Sequence, residues 1–393
     1  MRQTICLCMI VKDEIEVLKN ALDSVVDLLD YWVIADTGST DGTQAFVKEY
    51  FKDKDIPGEF YEDEWVNFAK NRQLVFERAI DKADYLMTLD ADEMLITNKG
   101  NKPIKNKKVS KLPKFSKDLI RTYTHLKPWV YKRAQFFKGD LAWKWAEGLH
   151  EYPYLEKPHS EQFVDNIAIY TEGGGARGKE NDRLLKDIQQ LEESLEKTPT
   201  PRNFYNLAMT QQSRGDYGSA IAAYDSCIEM TSWDEERYMA LISKGQCLVY
   251  SGRRSESMVV FAEATRHKPD RPEAYYWLAE QHFHNKQYIL CRLILEHVLK
   301  IPFPKDQLSL VDTQIYDWKI TDVLSLCYYF EAESKKAAKM MRKLLTDPTL
   351  DIDKGTRERL EANFALFKRV SELPRKHRIT REKSLQQAAE EKI

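Results

Sequence analysis

Along the first ninety residues, apolar positions alternate between two spacings. "TICLCMIV", residues 4–11, runs without a polar break, the pattern of a strand buried on both faces. "EIEVLKNALDSVVDLL" then puts apolar residues at helical spacing, which predicts an amphipathic helix. The alternation continues through "YWVIAD" as a second strand and "DGTQAFVKEYFKD" as a second helix, with Asp41 as its N-cap. "GEFYE" reads as a third strand, "NFAKNRQLVFERAID" as a third helix and "DYLMTLD" as a fourth strand. This order predicts a Rossmann-like α/β domain with a mainly parallel sheet, whose ligands gather at the C-terminal strand ends.

Beyond the fourth strand the pattern loosens. Residues 98–118, "NKGNKPIKNKKVSKLPKFSKD", are rich in Lys and poor in apolar residues, and read as a solvated, mobile loop. The aromatic segments of residues 119–172 read as strands and loops that complete the domain, and "TEGGGARGKEND" as a glycine-rich exit into helix. From about residue 184 only helical periodicity remains. Phe204, Leu241 and Tyr275 recur at offsets of 37 and 34 residues. Ala208, Gly245 and Ala279 follow at the same offsets, as do Tyr224, Phe261 and Leu295. A small residue in each first helix lets the second approach, and the bulky one fills the gap. That period is the period of tetratricopeptide repeats, with a degenerate fourth unit in "DVLSLCYYFEAESKKAAKMMRKLL". Such an array leaves a groove suited to extended peptides or to self-association as a homodimer. The expected division is residues 1–178 for the α/β domain, 184–345 for the all-α repeats and 346–393 for a helical, basic tail.

Composition narrows the class. Lys and Arg total 60 against 62 Asp and Glu, so the chain lacks the basic excess of a nucleic-acid binder. The apolar N-terminal run ends at Lys12, too short to span a membrane and without a small-residue cleavage site. The six cysteines include no CxxC pair and lie in apolar patterns, as in a reduced cytoplasmic protein.

Three features at strand ends carry candidate chemistry. In "VIADTGSTDGT" a buried strand delivers Asp36 to its tip, and Gly38 and Gly42 allow a tight turn. A carboxylate there accepts hydrogen bonds from a base N–H or from ribose hydroxyls. In "NFAKNR", Lys70 and Arg72 sit in the first turn of a helix, the end where cations are usually disfavoured. An anionic ligand such as a diphosphate offsets that misfit; the plain reading is that both face water. "LDADE" ends a buried strand on Asp90, Asp92 and Glu93, which repel unless something positive neutralises them. Mg2+ or Mn2+ takes one or two such carboxylates plus substrate phosphates. In "EGLHEY", His150 lies between Glu147 and Glu151, so one segment can offer a metal ligand and a carboxylate base.

"CMIVKDE", "WVIADTGSTDGT", "NFAKNR" and "LMTLDADE", in this order, resemble an inverting glycosyltransferase of family 2 with the GT-A fold, over roughly the first 175 residues. With "WKWAEGLHEYP" and the repeats behind them, they are similar to the S-glycosyltransferases that modify bacteriocin peptides and to lipopolysaccharide-core glucosyltransferases. The resemblance implies a UDP-linked sugar, glucose or N-acetylglucosamine, and a divalent cation. It places Val11 and Glu14 in the nucleoside pocket, Asp36 on the base, Asp90 near the ribose and Asp92 on the metal. Lys12 stands where relatives often carry a small or aromatic residue. Relatives also carry a His-Glu pair, which implies His150 on the metal or diphosphate and Glu151 as the base, with Glu147 as the alternative.

The expected reaction moves a sugar from the donor to a peptide, protein or glycan acceptor with inversion. A competing reading is a binding scaffold in which the first domain is a spent enzyme. A nucleotidyltransferase would need a basic Gly-rich N-terminal loop, and residues 10–14 read "IVKDE" instead.

Overall fold

The computed structural model describes residues 2–146, 149–171, 173–179, 182–305 and 309–373. The chain forms two compact units: the first runs to Pro199 and takes in Val311, and the second starts at Thr200.

In the first unit, β1 (Ile5–Val11), β2 (Tyr31–Asp36), β3 (Gly58–Glu62) and β4 (Tyr85–Thr88) lie parallel, in the order β3-β2-β1-β4. Their continuous apolar runs are explained by what covers each face. Leu7, Met9, Trp32, Ile34 and Met87 point into one core, with Leu18, Leu22 and Val25 of α1 (Leu18–Val25) and Val47 and Phe51 of α2 (Thr43–Lys54). Cys6, Cys8, Val33, Ala35 and Leu86 point into the other, with Val75, Phe76 and Ala79 of α3 (Phe68–Ala79). Alternate residues of one strand thus serve two helix layers.

Past β4 the sheet turns largely antiparallel. It continues through β8 (Trp129–Lys138), β7 (Leu119–Leu126), β11 (Glu161–Thr171), β5 (Glu93–Lys99) and β6 (Lys102–Lys108). Only β7 with β11 is parallel among these pairs. The sheet is therefore mixed, with its parallel half where the strand-helix alternation predicted it. A separate antiparallel pair, β9 (Lys144–Ala146) and β10 (Tyr152–Tyr154), stands apart.

Two local expectations are corrected. The lysine-rich segment 98–118 is ordered: β6 pairs with β5. Phe115 is buried against Tyr85 and Phe136, with ring centroids 5.1 and 4.8 Å away. Its backbone exchanges hydrogen bonds with the Gln3 amide at 2.8 and 3.1 Å. Two apolar anchors, Val109 and Phe115, outweigh the flanking lysines, which suit an edge strand. The second correction is the cap of α2: Gly42, at φ 97°, is the N-cap, and Asp41 lies one residue before it.

The second unit is helical: α5 (Pro201–Arg214), α6 (Tyr217–Met230), α7 (Asp234–Tyr250), α8 (Arg254–His267), α9 (Pro272–His284) and α10 (Tyr288–Val298) form three antiparallel pairs. α11 (Ile320–Phe330) and α12 (Ser334–Leu345) form the fourth, followed by α13 (Lys354–Glu372). Helix α4 (Arg183–Lys197) groups with the first unit. The small positions behave as expected, since Ala208 and Ala279 are fully buried and a Cβ on Gly245 would meet the Phe261 ring at 2.3 Å. One polar knot lies in this core. Arg271, with no exposed surface, pairs with Glu273 at 2.6 Å and Glu235 at 3.3 Å. The six cysteines are free and buried.

Candidate active site at the parallel strand ends

Register sets the site. Val11 pairs with Asp36 and Asp36 with Glu62, so β1, β2 and β3 end level, and the loops that follow share one edge. Val11 itself is a core residue, and its carbonyl accepts from Thr37 N at 2.9 Å. The loops after β1 and β2 are stitched together by their own polar groups. Thr40 N donates to Asp13 Oδ1 at 2.6 Å, Asp13 N to Ser39 Oγ at 2.8 Å and Glu14 N to Thr43 Oγ1 at 2.9 Å. Asp41, displaced from the cap, accepts from Ile15 N at 3.0 Å.

Asp36 is buried, and Oδ1 accepts from Gly38 N, Ser39 N and Gln44 Nε2 at 3.0, 2.9 and 2.7 Å. Gly38 makes this turn at φ 103°, which favours glycine. The second oxygen, Oδ2, is buried with no hydrogen-bond partner among the described residues. A carboxylate oxygen left bare in a dry site is costly unless a donor arrives.

The acids after β4 are resolved by two arginines. Arg72, nearly buried in α3, donates to Asp90 Oδ1 and to Glu151 Oε1, each at 2.6 Å. Its guanidinium lies 5.6 Å from the centre of the Trp145 ring. Arg133 of β8 grips Glu93 with both Nη atoms, at 2.7 and 2.6 Å, and approaches Asp90 to 4.0 Å. Burial works to raise the Asp90 carboxyl, but Arg72, and after it Arg133, outweigh that and hold it below its usual range. Asp92 has no arginine partner among the described residues: burial, then Asp90 and Glu93, push its pKa up against a hydrogen bond from the Gly175 backbone. Glu14 is pushed up as well, by burial and by Asp92, against one hydrogen bond from Ala176 N at 3.2 Å. The two carboxylates converge, because a Cβ on Gly175 would meet Asp92 Oδ2 and Glu14 Oε1 at 3.4 Å each.

Two half-buried acids with raised pKa values, Asp92 adding to the shift of Glu14, suit a divalent cation that takes its remaining ligands from phosphates and water. Among the described residues no group of three or more His, Cys, Asp or Glu could hold a metal. The donor set offered here is Asp92 with Glu14. His150 is exposed in a left-handed turn at φ 57°. Glu151 is brought to Arg72 and Asp90, Lys70 is exposed at the start of α3, and Glu147 lies outside the described residues. His125 is a buried residue bonded to Asn98 at 3.1 Å, and burial pushes it down to about 4.

Sequence reasoning missed Arg133 and the return of the 173–177 segment over Glu14 and Asp92. Nothing local marks Arg133 in "WVYKRAQFF". The triple glycine of residues 173–175 was a visible signal for close backbone approach, read only as a helix entry.

Comparison with known proteins finds two family models within the chain. Residues 6–99 match the family model of glycosyl transferase family 2. Residues 201–232 match the tetratricopeptide repeat model. The fold is thus a GT-A-type α/β domain followed by tetratricopeptide repeats, and the glycosyl transferase family 2 match covers part of the first. A TPR repeat-containing protein of Synechococcus elongatus is 37% identical over 93 residues, which span 23% of this chain and only 21% of that relative. A solved TPR protein of Thermus thermophilus is 17% identical, covers 47% of this chain and 90% of its own, and has a TM-score of 0.34. MamA of Desulfovibrio magneticus is 17% identical over 42% of this chain and 84% of its own, at 0.35.

Proposed function

We propose that the chain is a metal-dependent, inverting glycosyltransferase that uses a UDP-linked sugar, glucose or N-acetylglucosamine, in the cytoplasm. The observation that carries this reading is the pair of mutually repelling acids, Asp92 and Glu14, beside the unpartnered Oδ2 of Asp36. In this reading Asp36 receives the base N–H, Asp90 faces the ribose, and Asp92 with Glu14 holds Mn2+ or Mg2+. A bound cation would supply Lewis-acid stabilisation of the diphosphate leaving group.

The chain's own residues do the rest. Exposed Lys70 offers charge to the phosphates. Arg72 fixes Glu151 beside Asp90, which positions a carboxylate to take the acceptor's proton as its nucleophilic atom bonds to the anomeric carbon and the bond to diphosphate breaks. Glu147 is the second candidate for that role, and His150 for a contact to the phosphates. The acceptor is a peptide, protein or glycan, and the repeats offer it, or a second copy of the chain, a surface. Among the described residues no helix is long and apolar enough to cross a membrane.

The test is metal-dependent hydrolysis or transfer across a panel of nucleotide sugars. The wild type should turn over at least one donor, and Asp92→Ala should lose that activity with its melting temperature retained. Turnover that survives the substitution would contradict the assignment.

A further inference from the structure

Trp65 is 40% exposed, yet the backbone on either side of it is held by side-chain hydrogen bonds. Asn71, fully buried in α3, accepts from Val66 N at 3.0 Å and donates to the Glu64 carbonyl at 2.9 Å. One residue earlier, the Asp63 carboxylate takes a bidentate grip from Arg78 at 2.6 and 2.8 Å. Phe68 meets the Trp65 ring edge to face, 4.8 Å between centroids and 82° between planes. A loop pinned at residues 63, 64 and 66 loses little further entropy when something binds it. The indole packs one side on Phe68 and leaves the rest open, an amphipathic aromatic surface able to take a planar partner.

Its surroundings say what it contacts. Asp63 N donates to the Asp36 carbonyl at 2.8 Å, so the Trp65 loop starts from the residue whose Oδ2 is buried and bare. The Arg177 guanidinium also lies over the Phe68 ring, 4.6 Å from its centre. The residue before it, Ala176, donates to Glu14. Trp65, Phe68 and Arg177 therefore form a wall from the Asp36 end of the site to the Glu14 end.

We propose that the Trp65 face is the stacking surface for the donor's nucleobase, whose ring N–H meets Asp36 Oδ2. The inference rests on the nucleotide-sugar reading and adds the residue that grips the planar ring. Losing a base–aromatic stack by alanine substitution weakens binding by about five-fold to one hundred-fold.

The test titrates the full chain with UDP and, separately, with pyrophosphate, both with Mn2+, by calorimetry. Trp65→Ala should weaken UDP by about five-fold or more and leave pyrophosphate unchanged, while Trp65→Phe should keep most of the affinity. Trp65→Gln serves as a second loss variant should the alanine form fold poorly. UDP affinity within two-fold of wild type in the loss variants overturns the proposal while leaving the donor reading intact. An effect confined to UDP-glucose and absent with UDP assigns Trp65 to the sugar and overturns it as well. A wild type that binds no nucleoside diphosphate overturns both.

Discussion

Asp92 and Glu14 bear a cost that folding alone does not explain, and the cost has a measurable sign. A carboxyl whose pKa is raised by folding binds protons more tightly folded than unfolded, so its contribution to stability falls as pH rises through the folded pKa. At neutral pH and without metal, Asp92→Asn or Glu14→Gln should therefore raise the melting temperature. The gain over wild type should fade as pH falls through the folded pKa of the removed acid. A lower melting temperature at pH 7 in a chelator would show that the two acids are not strained against each other. Arg72 predicts the opposite. Arg72→Leu leaves Glu151 without its cation and Asp90 with Arg133 alone, 4.0 Å away; with the Asp90 side chain 39% exposed, solvent screening limits the loss to about 1–3 kcal/mol, and Arg72→Lys should recover part of it, read by chemical denaturation. Asp36, Asp90 and Asp92 were legible because each ends an apolar run, a local signal. Arg133 was not, because its partner Glu93 is 40 positions away, on β5, a strand that does not pair with β8.

Elements were legible in proportion to how local their cause is. The bounds of β2 coincide with the apolar run that predicted it, since both its faces are covered by helices; those of β3 coincide too, although this edge strand has no buried residue. β6 was hidden because an edge strand tolerates lysines and owes its order to β5 and to two distant anchors. The antiparallel half of the sheet has no strand-helix alternation to announce it. In the repeats, the small-residue rule gives a direct prediction. Gly245→Ala would gain about 1 kcal/mol of helix propensity in isolation. Here the new Cβ falls 2.3 Å from the buried Phe261 ring, and overpacking of about 1–3 kcal/mol should win. The second unit should then unfold at lower urea by far-UV circular dichroism. Unchanged or higher stability would mean that α7 and α8 have room the geometry denies.

At the scale of the molecule, chemistry and repetition are divided between the two units. The glycosyltransferase match ends at residue 99, and the site it marks is completed by Arg133, Glu151 and Gly175 from beyond that span. The buried acids of the second unit each have a cation among the described residues: Glu235 and Glu273 pair with Arg271, Asp312 with Lys319 at 2.9 Å and Asp322 with Arg359 at 2.7 Å. Function on this account resides at one sheet edge, with the repeats available to an acceptor. The most direct test is calorimetric titration of UDP into wild type and Asp92→Asn, each with Mn2+ and with a chelator. The account predicts that Mn2+ tightens UDP binding to the wild type at least ten-fold and has no effect on the variant. Equal binding by the wild type with and without the metal, or an Mn2+ effect that survives in the variant, would contradict it.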